Sequence, residues 1–219
     1  MFIGQYISTD YHEVSLSDSI DYALNKMTDH HVKQLAVVEG KVFYGLITEE
    51  NLLDQTDPFA SLESIKLIFK SAFLFDYQHI YDGLQYMVAY NLCFIPVLNK
   101  HHEYQGVLSK LDLLTAVNRI LGNDEGAIIV LELGMRDNAL SHIARIIESE
   151  NTSILSTAVR QIPESTKLEM TIKVNKTNIS GVVASLWRND YVVKATFRDG
   201  GEQSDIQDRD DLLMNYLDL

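Results

Sequence analysis

The chain is short of cysteine, proline, basic residues and long apolar runs, and each shortage removes a class of protein. Its single thiol, Cys93, rules out an internal disulfide framework and suits a reducing compartment. Cys93 lies in the apolar stretch "LCFIPVL", where it reads as a buried structural thiol, not a nucleophile. Uninterrupted apolar runs reach about five residues, far below the ~20 that cross a bilayer. The N-terminus "MFIGQYISTDYHEV" lacks the basic and apolar regions of a signal peptide, so a cytoplasmic location is expected. Basic residues number 18 against 31 acidic ones, a net charge of -13. Such a surface repels phosphate backbones and anionic lipid, so neither nucleic acid nor membrane is an expected partner. With 3 prolines, 11 glycines, 46% hydrophobic and 22% charged residues, the composition is that of a globular chain. Its 219 residues suffice for two domains.

What is present is a duplication. Shifted by 60 positions, Ile20, Leu24, Met27, Val32, Leu35, Val37 and Val38 fall on Ile80, Leu84, Met87, Leu92, Ile95, Val97 and Leu98. One inserted residue later, "GLITEENLL" at 45–53 falls on "GVLSKLDLL" at 106–114. Each copy reads as strand, helix, β-hairpin and helix. Between the copies, "DPFASLESIKLIFKSAF" has Pro58 at a possible helix start and apolar residues at 62, 65, 68 and 69, which predicts a connecting helix. The copies span about 1–57 and 58–122, where Gly122 stops the last helix and "GNDEG" forms a joint.

From Gly126 the pattern changes to β-α-β-β-α-β over 126–198: "AIIVLEL", a helix in "NALSHIARIIES" burying Leu140, Ile143 and Ile147, a hairpin around Pro163, a helix in "ISGVVASLW" and the strand "YVVKATF". Trp187 belongs to the apolar stripe of that second helix and is expected in the core. Residues 199–219, with seven acids and one arginine, read as a solvated acidic tail. The pairs His30-His31 and His101-His102 lack ligand spacing and predict no metal site. No triad, phosphate loop or pair of catalytic carboxylates is legible, so no enzyme is expected.

The repeated motif carries the chemistry. A helix beginning at Ser109-Lys110 offers backbone donors and a positive dipole end to a phosphate. Asp112, one turn in, would repel that phosphate but can accept from both hydroxyls of a ribose. Lys110 adds a cation. The same Ser-x-x-Asp spacing also suits a capping box, in which both side chains serve only the helix start. In the first copy Thr48 and Asn51 stand in these places, beside Glu49 and Glu50, so that pocket is expected to be vacant, weak or less fond of anions.

On these features, "FIPVL" before the hairpin and "GVLSKLD" after it, residues 1–122 resemble the tandem cystathionine-β-synthase-type (CBS) domains that pair as a Bateman module. Residues 126–198 resemble, by element order, a ferredoxin-like ACT domain; the same domain order occurs in the acetoin-utilisation regulatory proteins. The resemblance implies an α+β fold and a regulatory protein that requires no cofactor. Its ligand would be an adenosine nucleotide (AMP, ADP, ATP or S-adenosylmethionine). Ile95 and Pro96 would line the base, Ser71, Ala72 and Phe73 would read its polar edge, Ser109 and Lys110 would meet phosphate, and Asp112 the ribose. It further implies a homodimer through both domains and an unidentified protein partner. In an amino-acid-binding ACT domain a Pro-Gly pair follows the first strand; Asn138 and Ala139 stand there, which argues against that ligand. Two other readings remain: an oligomerisation scaffold without ligand, and an amino-acid sensor acting through the ACT domain.

Overall fold

The structure, a computed structural model, describes residues 1–8, 13–65, 67, 71–134 and 140–198. The chain divides into two compact units, Met1–Val117 and Asn118–Leu219. In the first, β1 (Glu13–Val14), α1 (Ile20–Asp29), β2 (Gln34–Glu39), β3 (Val42–Thr48) and α2 (Glu49–Leu53) form the first copy. The second repeats it with β4 (Leu74–Phe75), α3 (Ile80–Tyr90), β5 (Phe94–Leu98), β6 (Tyr104–Ser109) and α4 (Lys110–Leu121). Each copy holds a three-stranded sheet, β1-β2-β3 and β4-β5-β6, with the first pair parallel and the hairpin antiparallel. In the first copy, Leu35, Val37 and Ile47 bury one sheet face against Ile20, Ala23 and Met27 of α1.

Both hairpins carry a bulge at the same place, between Val37 and Val38 and between Val97 and Leu98. A glycine accompanies each. Gly106 has φ +135°, and a Cβ there would lie 2.5 Å from the Ser8 carbonyl oxygen. The close approach exists because Ser8 and Val107 exchange backbone hydrogen bonds of 2.8 and 2.9 Å. Only glycine leaves room for that exchange.

The copies interlock reciprocally. A 3-10 turn at Ile3–Gln5, which precedes the first copy, docks on the second: Ile3 N–H donates to Gln78 O, Gly4 N–H to Asp76 O, and the Ile80 N–H at the start of α3 reaches Met1 O. The matching turn at Leu62–Ser64, which precedes the second copy, docks on the first: Leu62 N–H donates to Asp18 O, Glu63 N–H to Leu16 O, and the Ile20 N–H reaches Ala60 O. Ile3 and Leu62 are both fully buried. Thus the connecting helix expected from Pro58 is not formed over the described residues 58–65. Ser61 instead caps a single turn, and Leu62 and Ile65 are spent on the first copy's core.

The second unit is built on β7 (Ala127–Gly134), α5 (Leu140–Ser149), β8 (Ile154–Gln161), β9 (Lys167–Val174), α6 (Ser180–Arg188) and β10 (Val192–Arg198). Its antiparallel sheet runs β10-β7-β9-β8, the order of a ferredoxin-like βαββαβ unit. Ala127, Ile129, Leu131 and Leu133 alternate inward with Met170, Ile172 and Val174 under α5 and α6. On α5 the buried stripe is Ile143, Ile146 and Ile147, and Leu140, on the same face but at the first position of the helix, is exposed. Trp187 is 45% exposed, so it is not the core residue its spacing predicted; Val182, Val183 and Leu186 fill that role. Asn138, Ala139 and the acidic tail 199–219 lie outside the described residues. Gly122, at φ +82°, ends α4 as expected; Lys173 Nζ donates to its carbonyl at 2.6 Å and Ser156 Oγ to the Leu121 carbonyl at 2.9 Å, a cation placed where the helix dipole favours it.

Candidate ligand site

The second repeated motif closes on itself. Asp112 Oδ2 accepts from the Ser109 hydroxyl at 2.5 Å and from the Ser109 N–H at 3.1 Å, while Ser109 Oγ accepts from the Asp112 N–H at 3.1 Å. This is a complete capping box. The separate duties expected of the two residues, serine to phosphate and acid to ribose, are therefore not what this arrangement displays: each serves the other. The Lys110 N–H is also taken, by the Cys93 carbonyl at 3.2 Å. Little of the helix's N-terminal donor capacity is left for an anion, although its dipole and the exposed Lys110 side chain remain. The open valence is on the carboxylate, since Oδ1 of the half-buried Asp112 has no hydrogen-bond partner among the described residues.

The first motif is its weaker image. Thr48 Oγ1 donates to Asn51 Oδ1 at 2.9 Å and accepts from the Asn51 N–H at 3.3 Å, and the Glu49 N–H is held by the Lys33 carbonyl. An amide oxygen replaces the carboxylate, so the remaining valence is a neutral Nδ2 donor with no charge behind it.

Strand pleating separates the other candidate residues. Ile95 faces Leu108 across the hairpin, and Leu108 points at α3, where a Cβ on Gly83 would lie 2.8 Å from its Cδ2. Ile95 is therefore interior to its own copy, and only its backbone is available to a ligand. Pro96 shares the opposite face with Phe94, Val107 and Ser109. The Val107 backbone groups are turned to Ser8, so Pro96 directs its donor-less nitrogen toward the β4 side. There β4 begins only at Leu74, opposite Val97, so Phe73 lies one register step back, beside Pro96. Of the three residues before β4, Ala72 is buried, Phe73 is half-buried, and Ser71 is exposed with its carbonyl accepting from Tyr86 Oη at 3.2 Å.

Contacts across the copies went unseen in the sequence. Phe73 meets Phe43 edge-on, with centroids 6.4 Å apart. At the matched place on the other side, Tyr104 lies beside Glu13, and burial, reinforced by that carboxylate, holds the tyrosine's pKa above its ordinary range. Gln34, buried, donates to the Phe94 carbonyl at 3.1 Å and accepts from the N–H of half-buried Cys93 at 3.4 Å. The signal that could have found these residues is their matched positions: Phe43 corresponds to Tyr104, Glu13 to Phe73, and Gln34 to Phe94.

Residues 3–56 match the CBS domain family. A CBS domain pair/ACT domain protein from Thermotoga maritima is similar at 22% identity and TM-score 0.50, covering 56% of this chain and 100% of that one. The CBS domains of a transcriptional regulator from Streptococcus pneumoniae align at 18% identity and TM-score 0.47, covering 52% and 98%. A structure described as CBSX2 in complex with AMP aligns at 17% identity and TM-score 0.47, covering 54% and 97%. The Thermotoga likeness fixes the fold: an α+β chain with paired CBS repeats, followed here by a further βαββαβ unit. Among the described residues no helix is long and apolar enough to cross a membrane, and no group of three or more His, Cys, Asp or Glu side chains is gathered as metal ligands.

Proposed function

We propose that the CBS repeats form a non-catalytic sensor in which the second motif holds an adenosine nucleotide or S-adenosylmethionine, and that the βαββαβ unit is an ACT domain receiving the signal. The observation that carries this reading is the unspent Oδ1 of Asp112 in the copy that also offers the exposed Lys110. A ribose diol donates to that oxygen, and the base enters beside Pro96. A ligand phosphate that approaches Ser109 must take its hydroxyl from Asp112, so binding and the capping box compete. Occupancy thereby acts on the first turn of α4, whose last carbonyls are held by Lys173 and Ser156. A ligand moves such an equilibrium only by its different affinity for the capped and opened arrangements.

The closed box favours one other reading, a scaffold in which the motif serves only its helix. Calorimetry and thermal shift with AMP, ADP, ATP, S-adenosylmethionine and the amino acids separate the two, because a ligand of the folded state raises the melting temperature by mass action. Adenosine compounds should stabilise the wild type and bind one site per chain. Silence across the panel would leave the scaffold reading standing, and a response to amino acids alone would move the sensor to the second unit.

A further inference from the structure

In the second unit, α5 and α6 both pack on the sheet face that carries Ile129, Leu131, Met170 and Ile172. Register sets the opposite face: Phe197 stands across from Ile128, Ala195 across from Val130, and Thr171 beside Val130 on the next strand. Phe197 is 37% exposed, and Ile128, Val130 and Ala195 are half-buried. Around this apolar strip the charges run against the sign of the chain. Arg160, Lys167 and Lys194 share two acids, Glu132 and Glu169, in one ion-pair network. Lys173, on the same face, spends its cation on the neutral Gly122 carbonyl. These six residues hold more cations than acids, in a chain of net charge -13.

We infer that the end of the chain, residues 211–219, docks on this open sheet face of its own protomer. Three observations select that occupant. The sequence "DLLMNYLDL" places Leu212, Leu213, Tyr216 and Leu217 at i, i+1, i+4 and i+5, one apolar side of a helix, with Asp211 and Asp218 on the other. Residues 199–219 carry seven acids and one arginine, opposite in sign to the rim of the face. The chain also leaves the sheet at the right place: β10 is an edge strand, and it ends at Arg198, one residue past Phe197. From there the twelve or so residues to Asp210 can span about 40 Å, against about 14 Å for the width of four strands, so the segment reaches any part of the face. A tether of this length holds it at an effective concentration near mM. A modest contact is then enough to keep it docked. The inference stands apart from the nucleotide reading, because face and segment both belong to the second unit.

Hydrogen exchange read by mass spectrometry on the full chain tests this, with thermal melts to verify the fold of each variant. Nine residues alone are too short to hold a helix in water, so protection in this segment reports docking. In wild type the amides of 212–218 should exchange at least about tenfold slower than in a free peptide of the same sequence, equally at low and high protein concentration. Ala195→Glu, which puts a charge into the apolar strip, should bring exchange to within about twofold of the free peptide, and Leu213→Asp should do so from the segment's side. Lys194→Glu, which weakens the cationic rim, should cut the protection severalfold. Trp187→Glu, on the exposed side of the helical layer, should leave it unchanged. If Ala195→Glu lowers the melting temperature, Phe197→Ser gives the same reading with a gentler change. A segment that exchanges like the free peptide, protection indifferent to the changes at 194 and 195, protection lost with Trp187→Glu, or protection that fades on dilution, as docking on a second copy would, would each overturn the assignment.

Discussion

The two copies share a frame and differ in what they put on it. Bulge, bulge glycine, reciprocal 3-10 turn and self-capped second helix recur at matched positions, so these features belong to making the fold. The differences have no such role. An acid replaces an amide at position 112, and a phenol–carboxylate contact faces a ring–ring contact across the copies. A duplicated protein thus sorts its own residues: what both copies retain is the shared frame, and what one copy alone carries is where the two can differ in binding.

The shared frame should be the most fragile part. Gly106→Ala forces a side chain to φ +135° with its Cβ 2.5 Å from a backbone oxygen that cannot rotate away. A destabilisation of about 3 kcal/mol is expected, from strain and displaced pairing together. Gly40→Ala, at φ +60° in open space, should cost about 1 kcal/mol from the left-handed backbone alone. Urea unfolding of the two variants measures the gap, and equal losses would show that the Ser8–Val107 docking is dispensable.

The difference between the motifs should appear in binding. Removing a charged acceptor costs about 1.5 to 3 kcal/mol, so Asp112→Ala should weaken the nucleotide roughly 10- to 150-fold, while Asn51→Ala should change it little. Both substitutions also remove a capping partner, worth about 1 kcal/mol of stability each. Titration calorimetry on the folded proteins keeps the two effects apart. If the two alanines weaken binding alike, the copies are equivalent and the acid at 112 has no special office.

Much of this frame was legible in the sequence because a two-residue or 3.6-residue apolar period reports which face is buried: Leu35, Val37 and Ile47 announce their strands, and Met170, Ile172 and Val174 theirs. The reciprocal docking was not, since Ile3 and Leu62 sit in single turns too short for any period, and their partners are backbone carbonyls far away in sequence. The same brevity produced the false helix after Pro58, where Leu62 and Ile65 have helical spacing but serve a turn and the extended residue after it. Trp187 misled for the opposite reason, lying at the margin of a genuine stripe whose buried arc is narrower than its apolar one. At Ser109 and Asp112 the ambiguity is chemical. The donors and acceptors that grip a diol are those that cap a helix, and one spacing serves both.

The smallest expected effect separates the two cross-copy contacts. In an unfolded chain a tyrosine gives up its proton near pH 10, but burial, with Glu13 beside it, holds the Tyr104 pKa higher in the fold. Between those two values only the unfolded state ionises, so stability should fall as pH rises above about 10, by up to about 1.4 kcal/mol per pH unit from this one group; below pH 10 its contribution is complete and constant. Tyr104→Phe, which writes the Phe43 chemistry into the second copy, should lose about 1 kcal/mol at pH 8 with the polar contact to Glu13. Between pH 10 and 11.5 it should decline less steeply than wild type, so that the two curves of melting temperature against pH converge. Parallel curves would mean that the Tyr104 hydroxyl ionises as readily in the fold as out of it, and the two cross-copy contacts would then differ in shape alone.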